Sequence, residues 1–149
     1  MPENVTILES HGASPDDVAI EIIFARLKLP SWQTIHLTLV YRSPSVSITD
    51  LINTLASILL ELESCDVISY ILGDFNVDLT KSDSNLEALM AGCGYSQLVH
   101  TPTTDQGTLI DHVYCNIPQP ELVETHVTDI YYSDHDAVLC SIPISLQTE

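Results

Sequence analysis

The chain has 149 residues, 45% of them hydrophobic, and sets 21 Asp and Glu against 4 Lys and Arg for a net charge of -17. That composition fits one globular domain with a real core rather than a disordered chain, and no run approaches the roughly 18 apolar residues of a membrane span. A polyanion would be repelled, so a nucleic-acid partner requires its phosphates to be neutralised by divalent ions, a further segment or another chain. Met1-Pro2-Glu3-Asn4 has neither the basic nor the apolar region of a signal peptide, and the expectation is an intracellular protein, nuclear or cytoplasmic, with no membrane partner. Cys65, Cys93, Cys115 and Cys140 form no C-x-x-C pair, which argues against a zinc site or a compact disulfide framework and predicts buried free thiols.

In chain order, Val5, Ile7 and Leu8 predict a strand fragment, followed by a loop at His11-Gly12-Ala13-Ser14-Pro15. Val18 to Leu29 is dense in Ile, Val and Phe and predicts a strand buried on both faces through its centre, with Trp32 in the turn that follows or plugging the core. Ile35, Leu37, Leu39 and Tyr41 then alternate with His36, Thr38 and Arg42, as a half-buried hairpin partner does when its apolar set faces inward. Ser47-Ile48-Thr49-Asp50 has a helix-start form, and Leu51, Ile52, Leu55, Ile58, Leu59 and Leu62 recur at helical spacing. The helix returns the chain to an apolar strand, Val67 to Leu72, that Gly73 ends with a sharp turn and that delivers Asp74 and Asn76 to its C-terminal end. Ser84-Asn85-Leu86-Glu87 repeats the helix-start form, and a short helix with Leu86, Leu89 and Met90 on one face follows, stopped by Gly92 or Gly94. Gln97 to Val99 is a brief strand, Leu109 to Cys115 a strand with Asp111 inside it, Leu122 to Tyr131 extended, and Ala137 to Ile144 a final strand. Adjacent strands at the start, then strands mixed with helices, predict an α+β fold with mixed, largely antiparallel sheets.

Three polar clusters sit at or in these strands: Gly73-Asp74-Phe75-Asn76, Thr108-Leu109-Ile110-Asp111-His112 and Ser133-Asp134-His135. Taken singly, each has a plain reading as a strand-ending turn, a cap or a satisfied structural carboxylate. Asp111 is the most informative, because a strand carboxylate must find a partner, and His135 is a natural one. A carboxylate on one imidazole nitrogen fixes the tautomer, raises basicity and presents the other nitrogen outward, which suits a phosphate oxygen. His112, on the opposite strand face, reads as structural or exposed; Tyr41 reads as core packing with its hydroxyl at the rim; His11, His36, His100 and His126 read as surface or loop residues.

In this order and on these strand ends, the clusters resemble the endonuclease/exonuclease/phosphatase superfamily, and within it the retrotransposon-type, apurinic-endonuclease-like enzymes. Tyr41-Arg42-Ser43-Pro44 resembles the family's Tyr-x-x-Pro segment, and Gln97-Leu98-Val99 before Pro102-Thr103 resembles its mobile-element members. The resemblance implies a four-layer α/β/β/α sandwich of the deoxyribonuclease-like type, here a single domain over 1–149 that is incomplete at its N-terminus. It also implies Mg2+, with Mn2+ as a substitute, and DNA as substrate. Asp74 would orient and deprotonate water, Asn76 and Tyr41 would contact the phosphate, Asp111 would hold His135 against the charge developing on phosphorus, and Asp134 together with Asp74 would lie at the metal. The family's front half supplies an Asn and a metal-binding Glu; Glu3, Glu9 and Glu21 lack matching surroundings and none is assigned that role. The expected function is metal-dependent phosphodiester hydrolysis by a DNA endonuclease of a non-LTR retrotransposon, completed by an N-terminal segment or a reverse transcriptase domain of the same element. The alternatives are a phosphatase of small phosphate esters or phosphoinositides, and a non-catalytic remnant or interaction module.

Overall fold

The computed structural model describes the backbone of residues 6–12 and residues 20–30, 33–81 and 85–142 in full. Strands β1 (Thr6–Gly12), β2 (Ile20–Lys28) and β3 (Thr34–Arg42) form an antiparallel ribbon, and helix α1 (Ile48–Glu63) carries the chain back to β4 (Ile68–Asp74), parallel to β3. After α2 (Asn85–Gly92), the short β5 (Ser96–Gln97) and β6 (Asp111–Cys115) complete a six-stranded mixed sheet in the order β1-β2-β3-β4-β6-β5. A 3-10 turn at Pro120–Leu122 leads to β7 (Glu124–Thr128) and β8 (Ala137–Ser141), an antiparallel pair that forms a second sheet. Among the described residues no helix is long and apolar enough to cross a membrane.

Local chemistry explains the helices. The Ser47 hydroxyl accepts the Asp50 N–H at 3.0 Å, capping α1, and Asp50 places a negative charge at the positive end of the helix dipole. Leu51, Leu55, Leu59 and Leu62 then fall on one buried stripe, each contributing about 1.5–3 kcal/mol of transfer free energy. Helix α2 ends at Gly92, and just beyond it Gly94, with φ of 88°, lets the Tyr95 N–H return to the Met90 carbonyl at 2.9 Å. Both helices pack on one face of the large sheet, against Val40, Ile71, Phe75 and Tyr114. The second sheet packs on the other face, with Val127, Val138 and Cys140 against a core of Ile35, Tyr70, Val113 and Cys115.

Several expectations change. On β3 Ile35 is buried as expected, but so are His36, Thr38, Val40 and Arg42 on the other face, between 1% and 5% exposed, whereas Leu39 and Tyr41 are 36% and 41% exposed. The helices cover the His36 to Arg42 set, while the small sheet reaches Ile35 and Leu37 but leaves the far end of the strand uncovered. For the same reason β2 is not buried on both faces: Ile23, paired with Leu39, is 47% exposed. His36 is thus a core residue, not a surface one. Of the free cysteines only Cys115 is buried; Cys65 and Cys93, just beyond the ends of the two helices, are exposed. Asp111 begins β6 rather than lying inside it. Gly73 does not end β4 in a turn; the strand runs on to Asp74, and a Cβ at Gly73 (φ +146°) would sit 1.9 Å from the Val40 carbonyl oxygen. Glycine is needed there because two parallel strands approach closely. The expected roles of Trp32, of Ser84 as a helix cap and of residues 143–144 in the last strand lie outside the described residues.

Candidate active site where three strands end

The strand register decides which side chains meet. Tyr41 pairs with Asp74, and Asp74 pairs with Asp111, so β3, β4 and β6 end side by side with these three residues on the face that also carries Leu72 and Val113. His135 arrives from the loop before β8, where a backbone bridge to Thr104 and an N–H bond to the Ser133 hydroxyl (3.1 Å) hold it. Its Nδ1–H donates to Asp111 Oδ2 at 2.9 Å, and its Nε2 lies 3.8 Å from Asp74 Oδ2. One ligand atom each from Asp74, Asp111 and His135 lie within 4.8 Å of one another, a spacing that can hold a metal ion. Next to them a cavity of about 220 Å³ between the sheets is lined by Leu72, Val113, Asp136 and Val138.

Electrostatics at this point are strained in a useful direction. Burial and the neighbouring Asp111 charge hold the Asp74 carboxyl above its usual range, against the Asn76 N–H, His135 and Arg42, which act the other way. Burial alone would lower the His135 imidazole, but the bond to Asp111 and the charges of Asp111, Asp74 and Asp134 outweigh it and raise it. A cation placed here would relieve the repulsion between the carboxylates.

The loop after β4 is bonded at nearly every residue. The Phe75 N–H donates to the Ile110 carbonyl at 2.9 Å, and the Asn76 N–H to Asp74 Oδ1 at 3.0 Å. Asn76 has φ 53°, the left-handed conformation that Asn tolerates better than most residues. Its Nδ2 donates to the Arg42 carbonyl at 2.6 Å. From β3, Arg42 donates back to the Phe75 and Asn76 carbonyls at 2.8 and 2.6 Å. From β6, His112 Nε2–H donates to the Val77 carbonyl at 2.8 Å while its Nδ1 accepts the Tyr114 hydroxyl at 2.9 Å. The His112 ring also stacks on Phe75, centroids 4.9 Å apart. Burial pushes the His112 imidazole down to about 4, so it is neutral at pH 7. Asp78 Oδ1 closes the loop by accepting the Leu109 N–H at 2.9 Å, and such bonds hold its carboxyl below the usual range despite some desolvation.

Of the residues singled out in the sequence, Asp74, Asp111 and His135 come together, and Tyr41 and Asn76 flank them. Asp134 does not join the metal-capable group: its side chain is exposed, and its carbonyl accepts the Asp105 N–H at 3.0 Å. The sequence reading gave no site role to Arg42, Asp78 or Thr103 and took His112 as structural or exposed; it is structural and buried. Thr103 is fully buried, and its hydroxyl donates to Asp111 Oδ2 at 2.7 Å, the oxygen His135 also uses. For Arg42 and His112 the available signal was chemical: strand positions beside a catalytic-looking loop held a cation and an imidazole, neither of which packs without a partner. A second acidic group, Asp105, Asp129 and Asp136, lies on neighbouring loops and is largely exposed.

No protein-family model matches this sequence, and no curated protein matches it significantly. Solved structures do. The endonuclease domain of TRAS1, a telomere-specific non-LTR retrotransposon, superposes with a TM-score of 0.66 at 18% identity, over 89% of this chain and 65% of that one. A humanized D. rerio TDP2 gives 0.63 at 19% identity, over 92% and 67%. An endonuclease/exonuclease/phosphatase family protein from Bacteroides thetaiotaomicron gives 0.63 at 13% identity, over 91% and 63%. The chain therefore spans about two thirds of the length of these structures. These superpositions show that the chain shares its mixed α+β fold with these structures, an endonuclease/exonuclease/phosphatase family protein among them.

Proposed function

We propose that this protein is a metal-dependent phosphodiester hydrolase that nicks DNA, as an endonuclease of a non-LTR retrotransposon or a derivative of one. The observation that carries this reading is the convergence of Asp74, Asp111 and His135 at the ends of β4 and β6 and beside β8. Phosphodiester hydrolysis needs an activated water, charge stabilisation on the phosphoryl oxygens and stabilisation of the negative charge on the departing oxygen. Asp74, held above the ordinary carboxylate range, takes the proton from an attacking water. His135, whose imidazole the bond to Asp111 and the nearby carboxylates raise above its ordinary range, would face the phosphoryl oxygens through Nε2. The amide hydrogen of Asn76 not used by Arg42 and the half-exposed Tyr41 hydroxyl serve the same phosphate. Asp74 and Asp111 are oxygen donors suited to Mg2+ or Mn2+ and would hold such an ion, which would supply Lewis acidity to the phosphate; the exposed Asp134 adds its negative charge near His135.

The test is nicking of supercoiled plasmid in magnesium by the full chain. Asp74→Asn and His135→Ala each lose at least about 100-fold in rate, the scale of one electrostatic or acid–base group. Unchanged rates in both overturn the assignment of this site.

The net charge of -17 favours a second reading, hydrolysis of small phosphate esters or phosphoinositide head groups, since a small ligand needs less basic surface than a duplex. Parallel assays on plasmid, abasic oligonucleotide and inositol phosphates separate the two: turnover of the last alone replaces the nuclease reading. For a DNA substrate, the missing positive surface would come from divalent ions, a further segment, or a reverse transcriptase domain of the same element. A non-catalytic interaction module is the reading that remains if no ester is cleaved and magnesium titration shows no binding dependent on Asp74.

A further inference from the structure

Arg42 belongs to a set of four Lys and Arg in a chain of net charge -17, yet it is only 5% exposed and lies on the face of β3 opposite Tyr41. Its guanidinium meets three carbonyl oxygens: Phe75 through Nε at 2.8 Å, Asn76 through Nη2 at 2.6 Å, and Val46 through Nη1. Its own carbonyl accepts Asn76 Nδ2, and the Asn76 N–H is tied in turn to Asp74 Oδ1. Burying a cation among carbonyls is costly without nearby compensation, and a flat, forked donor is the side chain that can serve several carbonyls at once. Burial holds the Arg42 guanidinium below its ordinary range, and the charge of Asp74 offsets part of that cost. The ring of bonds fixes the left-handed turn at Asn76, so one amide hydrogen is committed and the other has a defined direction.

We propose that Arg42 is a positioning residue for the phosphodiesterase site argued above, acting through Asn76 and Asp74 without touching substrate; the inference rests on that reading. Removing the fork leaves the loop carbonyls unpaired and lets the Asn76 amide drift, and displacements of about 1 Å at a reacting centre cost on the order of 100-fold in rate. A lysine keeps the charge but cannot reproduce the forked contacts.

The experiment is a double-mutant cycle on the full chain. Plasmid nicking in magnesium is measured for wild type, Arg42→Gln, Arg42→Lys, Asn76→Ala and the Arg42→Gln/Asn76→Ala pair, alongside the Asn76 side-chain amide resonances. The expected result is a kcat loss of about 100-fold in Arg42→Gln with KM nearly unchanged, and little further loss from Arg42→Gln when Asn76 is already Ala. Arg42→Lys, the variant to use if Arg42→Gln fails to fold, is also slowed and shifts the Asn76 amide resonances. Losses that simply multiply overturn the inference, as do Asn76 amide signals unchanged from wild type in either Arg42 variant. The amide signals need no turnover: if they move while the wild type cleaves no ester, the phosphodiesterase reading falls and the control of Asn76 by Arg42 stands.

Discussion

The two faces of the central sheet share the same strands and differ in almost everything else. On the helix side, Leu51, Leu55 and Ile71 are fully buried and even Arg42 is 5% exposed. On the opposite side, the β4–β6 half is covered by the small sheet, but Ile23, Leu39 and Tyr41 stand open, and Leu139 on the outer surface of the small sheet is 57% exposed. The difference shows that the site depends on one closely held corner. Asp74 and Asn76 belong to a strand and loop gripped by β3 and β6, while Tyr41 sits at the margin of the uncovered region.

Four measurements sharpen or break this contrast. The largest effect belongs to Gly73→Ala: its Cβ meets the Val40 backbone at 1.9 Å, neither strand can yield without disrupting the parallel pair, and a loss above about 4 kcal/mol in urea unfolding is expected. A Gly73→Ala protein of normal stability would show that the strands are not so closely held. Next, Leu55→Ala under the helices costs about 2–5 kcal/mol by the same assay, as cavity-forming changes in a tight core do.

The third is a pH effect. His112 resists protonation in the folded protein until about pH 4, whereas the unfolded chain protonates it near pH 6.5, so the unfolded state binds more protons between these values. Its contribution is complete above about pH 6.5 and is lost as pH falls toward 4, a change of about 3 kcal/mol across the window. Urea titrations at several pH values should show the loss in wild type and its absence in His112→Gln; equal slopes in both would remove His112 as the acid-sensitive clamp. The smallest effect is Leu39→Thr on the open face, within about 0.5 kcal/mol. A loss comparable to that of Leu55→Ala would mean that this face is covered in solution.

The alternation of Ile35, Leu37, Leu39 and Tyr41 correctly marked a strand, and Ile35 and Leu37 do face a core, but Leu39 and Tyr41 stand open while the opposite set, His36, Thr38 and Arg42, is buried under the helices. A period of two specifies two faces and not which of them is covered. The helix spacing of Leu51, Leu55, Leu59 and Leu62 was legible because a helix with one apolar stripe has one way to face the core. Gly73 was noticed for the wrong reason, since a close strand approach and a sharp turn ask for the same residue. Thr103 and Asp78 were not legible as site residues, because a buried threonine and a loop aspartate are common, and only the partner makes them specific.

By itself, the sequence determined which segments become strands and helices, through periodicity and capping, and which polar groups end the strands, the Gly73-Asp74-Phe75-Asn76 stretch above all. Only the tertiary structure decided that β3, β4 and β6 align Tyr41, Asp74 and Asp111 in one row, that His135 reaches Asp111 from 24 residues away, and that Arg42 turns inward to hold the Asn76 loop. The physical reason is range: local pattern is set by neighbours along the chain, whereas register and the partner of a buried charge are set by strands and loops distant in sequence.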